Sequence, residues 1–118
     1  TEKLAWAADF CGVRSGRDTD KWKEARLTPV PGHAVKAPLI QESPVSLECR
    51  VRQTLPLGSH TMFVAEVVSV SVDEAYMDKN NRFHLDKSSP ICYSHGRYYA
   101  LGKEVGKFGY SVAKKKNK

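Results

Sequence analysis

The chain has 118 residues and a formal net charge of +6 at pH 7, and 41% of its residues are hydrophobic. These values are typical of a single soluble domain, and no apolar run approaches the roughly 20 residues that span a bilayer, so we predict no membrane segment. Four of the positive charges belong to a terminal run that leaves +2 for residues 1–113: Lys114, Lys115, Lys116 and Lys118. A run of this kind at 114–118 is typically a disordered tail, and without interleaved aromatic residues it gives little reason to predict nucleic-acid binding.

Two helices are predicted near the amino terminus. The first spans residues 2–11, and one of its faces carries small and apolar side chains: Leu4, Ala7, Ala8 and Cys11. Gly12 is a natural stop for this helix. A shorter helix is predicted over about 20–26, with Asp18 or Thr19 as its amino-terminal cap. The prolines that follow keep the chain extended or turning as far as Pro44.

Two strands are predicted next, joined by a loop at residues 55–60. The strand at 46–53 alternates between an apolar and a charged face: Leu47, Cys49 and Val51 against Glu48, Arg50 and Arg52. The strand at 61–72 has apolar residues on both faces, Phe63, Ala65 and Val67 on one and Val64, Val68, Val70 and Val72 on the other. We expect such a strand to be covered on both sides, as in a barrel with a helix or a partner chain packed outside.

Short elements complete the chain. Residues 73–78 are predicted to form a turn or helical segment, and residues 78–82 a polar turn. Short strands are expected at 91–93 and 98–101, followed by a loop at 102–111 with a short closing strand. Two helices followed by about five strands predict a mainly β, α+β domain with an antiparallel sheet. So small a sheet cannot close into a barrel unaided, and its edges must be covered by further residues or a partner chain.

The segment between the two helices has the composition of an anion-binding site. It combines Ser15, Gly16, Arg17 and Lys21 with a helix start at Asp18 to Asp20. Glycines allow backbone N–H groups to approach an anion, a helix start offers unpaired donors, and Lys and Arg add charge. These residue types also form ordinary turns between helices, so the segment alone predicts a phosphate site only weakly.

The cysteines and most of the histidines suggest no chemistry of their own. The chain has three cysteines. This odd number, without a closely spaced pair, predicts neither a disulfide framework nor a metal site, and it favours a reducing, cytoplasmic setting. Cys11 and Cys49 lie in apolar patterns and are predicted to be buried small hydrophobes. His33, His84 and His95 have no carboxylate or cysteine pattern nearby and are predicted to be functionally silent.

Several segments, in this order and spacing, resemble the flavin reductase-like, FMN-binding split-barrel family, and within it the flavoredoxin type. The segments are Asp9-Phe10-Cys11-Gly12, Ser15-Gly16-Arg17-Asp18 with Lys21, Leu27-Thr28-Pro29, Ala37-Pro38-Leu39-Ile40, Ser46-Leu47-Glu48-Cys49, Leu57-Gly58-Ser59-His60-Thr61, Glu66-Val67, Pro90-Ile91-Cys92-Tyr93, Tyr98-Tyr99-Ala100-Leu101-Gly102 and Gly106-Lys107-Phe108-Gly109-Tyr110-Ser111. The resemblance implies an FMN-binding split β-barrel, here incomplete, with flanking helices at the amino-terminal end. It also implies that residues 1–113 form the carboxy-terminal two-thirds of the domain, since family members carry an amino-terminal third that supplies the first barrel strands and many FMN contacts.

The resemblance assigns roles to six residues of this sequence. Lys21 corresponds to a lysine on the phosphate or ribityl side of FMN, and Ser15, Arg17 and Asp18 flank it. His60 is placed near the flavin, where an imidazole can donate to the ring's carbonyl and nitrogen edge. Tyr93 matches an aromatic residue that lies against the isoalloxazine. Solvated, capping or core roles are the alternatives for these residues.

The function implied is FMN-dependent electron or hydride transfer between NAD(P)H, or another donor, and the flavin, in a homodimer. The family gives no side chain that acts as nucleophile or general base, so no catalytic residue is predicted. A non-catalytic flavin-binding or electron-carrier module is the alternative, as is an inactive fragment of such a protein. The sequence does not separate these three possibilities.

Overall fold

The computed structural model describes residues 1–113. This part of the chain contains two α-helices, four short 3-10 helices and six strands. The lysine-rich tail predicted at 114–118 lies outside the described residues. The strands form three separate two-stranded antiparallel sheets, β1 with β2, β3 with β4, and β5 with β6. The mainly β, α+β architecture is therefore confirmed, and the described residues form no closed barrel. The radius of gyration, 18.2 Å, exceeds the roughly 13–14 Å of a compact domain of this length.

The first helix is confirmed and is longer than predicted. A 3-10 turn, Glu2–Leu4, leads into α1, Ala5–Val13, so the helix continues through Gly12 and stops at Arg14, whose φ of −84° and ψ of 141° are extended. Ala7 is buried. The predicted apolar face of α1 lines a small cavity together with two later residues, Leu27 and Ile40.

The second helix is shorter than predicted and has a different cap. It is α2, Lys21–Glu24, and its N-cap is Asp20, whose carboxylate accepts from the backbone N–H of Lys23 at 3.1 Å. The predicted caps Asp18 and Thr19 are wrong because Asp20 itself satisfies the first-turn amide. The strands β1, Pro29–Val30, and β2, Leu39–Ile40, pair with each other and were not predicted, since two-residue strands have no period to detect.

The long hairpin consists of β3, Val45–Leu57, and β4, His60–Val72. Leu57 pairs with His60, so only Gly58 and Ser59 form the turn. The predicted six-residue loop is wrong because the strand continues through Pro56, which a two-stranded sheet tolerates on its open side. Gly58 has a φ of +75°, which is the conformation that a two-residue hairpin turn with glycine in first position requires.

Two register shifts redistribute the side chains of this hairpin. They fall between Glu48 and Cys49 and between Val51 and Gln53, and the first leaves Val68 as an extra residue in β4. A one-residue shift exchanges the faces of everything beyond it. The apolar pairs on one face are Leu47 with Val70, Cys49 with Val67, and Val51 with Ala65. The predicted division of β4, with Val67 and Val70 on opposite faces, is therefore wrong.

This apolar face of β3 and β4 is uncovered in the chain. Leu47 is 58% exposed, Val67 51% and Val70 57%, and Cys49 is exposed as well, contrary to its predicted burial. The opposite face is covered at Glu48, which was predicted to point to solvent and is only 2% exposed. The loop between β1 and β2 packs over it.

The remaining elements largely follow the prediction. A 3-10 helix, Glu74–Tyr76, precedes the predicted polar turn at 78–82, and a second, Leu85–Ser88, precedes β5, Ile91–Ser94, and β6, Arg97–Ala100. The turn between β5 and β6 is His95–Gly96, with φ values of 54° and 78°. The closing strand predicted within 102–111 is wrong, since the last element among the described residues is a 3-10 helix, Tyr110–Val112.

Candidate functional site

Lys21 is held against the end of α1. It is the first residue of α2, and its Nζ donates to the backbone carbonyl oxygen of Cys11 at 2.6 Å. Its Cε lies 4.0 Å from the position that a Cβ on Gly16 would occupy, so the side chain passes directly over the turn between the helices. A lysine ammonium has three donors, and this contact uses one of them. The half-buried ammonium therefore has a fixed position and two donors for an anion.

The turn under Lys21 carries the other three predicted residues of this group. The backbone N–H of Arg17 donates to Ser15 Oγ at 3.2 Å, and the N–H of Asp18 donates to the Ser15 carbonyl at 3.4 Å. Ser15 thus organises the turn with its oxygen atoms and keeps its hydroxyl proton for another acceptor. Asp18 lines a shallow cleft of about 290 Å³ with Asp20, Glu24, Phe10, Arg14 and Thr19. One of the predicted helix-start donors, the N–H of Lys23, is already taken up by Asp20.

His60 begins β4 immediately after the hairpin turn. Its Nδ1 lies 2.8 Å from Ser59 Oγ, and the side chain is exposed. When the serine hydroxyl donates to Nδ1, the ring proton is on Nε2, which is then a hydrogen-bond donor. The position agrees with the predicted hairpin tip.

Tyr93 belongs to an aromatic pair on the short hairpin. It lies opposite Tyr98 in the register of β5 and β6, and the two rings meet edge to face with centroids 5.2 Å apart. Tyr98 in turn donates its hydroxyl to Asp9 Oδ1 of α1 at 3.1 Å. Desolvation, and then the hydrogen bond to Asp9, raise the pKa of Tyr98 above its ordinary 10.0. Tyr93 itself is 67% exposed, which excludes the alternative of a core aromatic within this chain.

Helix α1 connects the turn at Lys21 with Tyr93. Lys21 donates to the Cys11 carbonyl, and Tyr98, which packs against Tyr93, donates to Asp9. No hydrogen bond among residues 1–113 joins His60 to either group. Asp9 and Tyr98 were not singled out from the sequence as site residues, because a contact between residues 89 positions apart leaves no local pattern.

Two carboxylates outside these groups have structural roles that sequence patterns did not reveal. Three consecutive backbone N–H groups, of His33, Ala34 and Val35, donate to Glu48 at 2.9, 2.7 and 2.9 Å. The bonds from Ala34 and then His33 lower the pKa of Glu48. Glu48 therefore holds the loop at 31–37 against β3, and we call these three hydrogen bonds the Glu48 clasp.

The second carboxylate with a structural role is that of Asp78. Its Oδ2 lies 2.9 Å from His84 Nε2, and its Oδ1 accepts hydrogen bonds from the N–H groups of Asn80 and Arg82. The bond with His84 and those backbone bonds lower the pKa of Asp78 from 3.8 to about 2. The prediction that His84 has no carboxylate nearby is wrong, since Asp78 lies six residues earlier across the polar turn. No set of three His, Cys, Asp or Glu side chains within residues 1–113 is arranged to hold a metal ion.

Among the described residues, no helix is both long and apolar enough to cross a bilayer.

The family model of the flavin reductase like domain matches residues 1–102 of the chain. A protein of Archaeoglobus fulgidus is 38% identical over 76 residues, which cover 64% of this chain and 41% of that protein. Flavoredoxin of Desulfovibrio vulgaris (Miyazaki F) has a similar structure, with a TM-score of 0.84 and 30% identity over 96% of this chain and 61% of that one. Flavoredoxin from Methanosarcina acetivorans gives a TM-score of 0.78 and 28% identity over 94% of this chain and 61% of that one. The chain thus spans less than two-thirds of the length of each of these proteins.

Proposed function

The chain belongs to the flavin reductase-like family, and we propose that it binds FMN for electron or hydride transfer with NAD(P)H or another donor. Its architecture is the family's split barrel in incomplete form, and a flavin-related redox function follows from the family. The observation that carries the more specific proposal is the fixed ammonium of Lys21 beside the turn of Ser15 and Arg17. The donor set there matches the chemistry of a phosphate monoester.

The phosphate end of FMN is proposed to bind at Lys21, with Ser15 and Arg17. Lys21 contributes two free donors on a pinned ammonium, and Ser15 contributes a hydroxyl proton. Because Asp20 already occupies the N–H of Lys23, the proposed contacts to the anion are those of the side chains. Asp18 adds negative charge to this turn, and its proposed role is to orient Arg17 rather than to contact the phosphate.

The ring end is proposed to lie against Tyr93, with His60 donating to the ring's polar edge. Tyr93 offers an exposed aromatic face whose edge contact with Tyr98 limits its rotation. An imidazole Nε2–H stabilises negative charge that develops on a ring carbonyl or nitrogen. FMN supplies the redox chemistry when bound, and the protein binds and orients it.

Titration of FMN with wild-type protein and two lysine variants tests this proposal. Lys21→Gln removes the pinned ammonium, and a charge-assisted hydrogen bond of about 1.5–3 kcal/mol corresponds to roughly 10- to 150-fold weaker FMN binding. Lys23→Gln on the same helix removes an exposed ammonium and is expected to leave the Kd for FMN within about twofold of wild type. Equal losses in both variants, or no saturable binding by folded wild-type protein, would refute the proposed site.

The same samples address the assembly and the alternative function. We propose that the protein is a homodimer, and light scattering reports its mass. An electron-carrier module is the second candidate, because FMN itself supplies the redox chemistry in both cases. NADH or NADPH oxidation by the FMN-loaded protein indicates an oxidoreductase, whereas FMN binding without such oxidation indicates a carrier.

A further inference from the structure

The short hairpin of β5 and β6 depends on α1 for its placement. Each strand has four residues, and the pair forms a sheet by itself. An isolated two-stranded hairpin of this size is only marginally stable in water. Within residues 1–113, the bond from Tyr98 to Asp9 is the one side-chain hydrogen bond that joins this hairpin to another element. The backbone N–H of Glu2 also donates to the Ser89 carbonyl oxygen at 2.9 Å, just before β5. Loss of the Tyr98 bond therefore removes the side-chain link of the strands themselves and leaves Tyr93 less firmly placed relative to α1.

Helix α1 also anchors Lys21, which is proposed to bind the FMN phosphate, two residues further along the helix. Asp9 accepts from Tyr98, and two residues later the carbonyl of Cys11 accepts from Lys21. Two residues of α-helix correspond to a rise of about 3 Å. A single rigid turn of helix thus fixes the spacing between the two contacts.

We propose that Tyr98, held by Asp9, is a positioning residue that sets the ring of Tyr93 against the isoalloxazine of FMN. The side chains of Tyr98 and Tyr93 meet edge to face, with centroids 5.2 Å apart and an interplanar angle of 63°. The hydroxyl bond to Asp9 restrains the rotation of the Tyr98 ring and so the geometry of its contact with Tyr93. This inference rests on the proposed FMN site and adds to it a distinct element, the link from the ring end to α1.

Four variants test the link against the wild type, together with Tyr93→Ala as the reference for loss of the aromatic ring and with one double variant. Tyr98→Phe and Asp9→Ala each remove the hydrogen bond and keep the ring pair. Asp9→Asn retains an oxygen that accepts from the Tyr98 hydroxyl. Tyr99→Phe is the matched control, because Tyr99 is a neighbouring exposed tyrosine that pairs with Cys92 and has no side-chain hydrogen bond among the described residues.

The readouts are the Kd for FMN and the quenching of flavin fluorescence in the saturated complex, which reports stacking on an aromatic ring. Tyr98→Phe and Asp9→Ala are expected to weaken FMN binding by about 3- to 10-fold and to lose part of the quenching, towards the level of Tyr93→Ala. Asp9→Asn and Tyr99→Phe are expected to keep wild-type quenching. The double variant of Asp9→Ala and Tyr98→Phe should be no weaker than either single variant, since both remove the same bond.

Each outcome supports or overturns the positioning role. If wild-type protein binds FMN and Tyr98→Phe behaves like Tyr99→Phe, the positioning role is overturned while the FMN site stands. If folded wild-type protein binds no FMN, the proposed function fails, and the positioning role fails with it. If Tyr98→Phe does not fold, the pair Asp9→Ala and Asp9→Asn carries the test, and equal quenching in those two overturns the inference.

Discussion

Replacing Gly32 with alanine tests the clasp that Glu48 forms with the loop at 31–37. A Cβ at this position would lie 2.7 Å from Glu48 Oε2, 2.8 Å from the Val35 carbonyl oxygen and 2.9 Å from that of Ala37. Two of these three atoms are backbone and cannot rotate away, so the loop must lift from β3. Overpacking of this kind costs about 1–3 kcal/mol of unfolding free energy. At this chain length each kcal/mol lowers Tm by roughly 4–6 °C.

Thermal unfolding followed by circular dichroism measures this effect, with Gly12→Ala as the matched control. Gly12 lies inside α1, and a Cβ at Gly12 would have no atom within 4 Å apart from its own helix backbone and chain neighbours. The same substitution there is expected to raise the unfolding free energy by about 0.5–1 kcal/mol, because alanine is the better helix former. Amide hydrogen exchange at 33–35 should accelerate in Gly32→Ala alone. A Tm for Gly32→Ala at or above that of wild type would contradict the steric reasoning.

Two further predictions concern the polar turn and the short hairpin. Because the pKa of Asp78 is lowered from 3.8 to about 2, its stabilising contribution is present above 3.8 and lost as the pH falls towards 2. Asp78→Asn should therefore have a lower Tm than wild type at pH 7, and in a series of melts the difference should shrink progressively as the pH falls from about 4 towards 2. His95 has a φ of 54° in the first position of a two-residue turn before Gly96. His95→Asn should raise the unfolding free energy in urea titrations, by no more than about 1 kcal/mol, because asparagine tolerates the left-handed conformation better, and an unchanged or lower midpoint would count against that reasoning.

Strands with a clear alternation of apolar residues could be located from the sequence. Which of their side chains share a face, and which face is covered, could not be predicted in full. The alternation of Leu47, Cys49 and Val51 located β3, and the valine-rich run located β4. The faces of β4 depended on Val68, the extra residue at a register shift, which nothing in the local sequence marks. Glu48 likewise satisfies the period-two pattern of a solvent-facing residue. Its burial is decided by three amides from a loop 13 to 15 residues earlier, which is tertiary information.

The candidate site divides in the same way. The segment from Ser15 to Lys21 is local, so its composition alone indicated an anion site, and the structure shows Lys21 pinned beside it. The cap at Asp20 was missed because Asp18, Thr19 and Asp20 are all good capping residues, and only the register of the first turn selects among them. Asp9 and Tyr98 lie at opposite ends of the chain, and their contact follows from the packing of the short hairpin on α1.

The long hairpin buries one charged side chain and leaves apolar side chains exposed. The charged position Glu48 is covered by a loop, whereas the pairs of Leu47 with Val70 and Cys49 with Val67 face outward. A large exposed apolar surface is unfavourable in water and marks an interaction surface. Whatever covers it must present apolar side chains of its own. In a split barrel the inner face of each strand packs against the strands across the barrel, and this chain spans 61% of the length of the flavoredoxins it resembles. We therefore expect the exposed face to correspond to the interior of the barrel rather than to its outer surface.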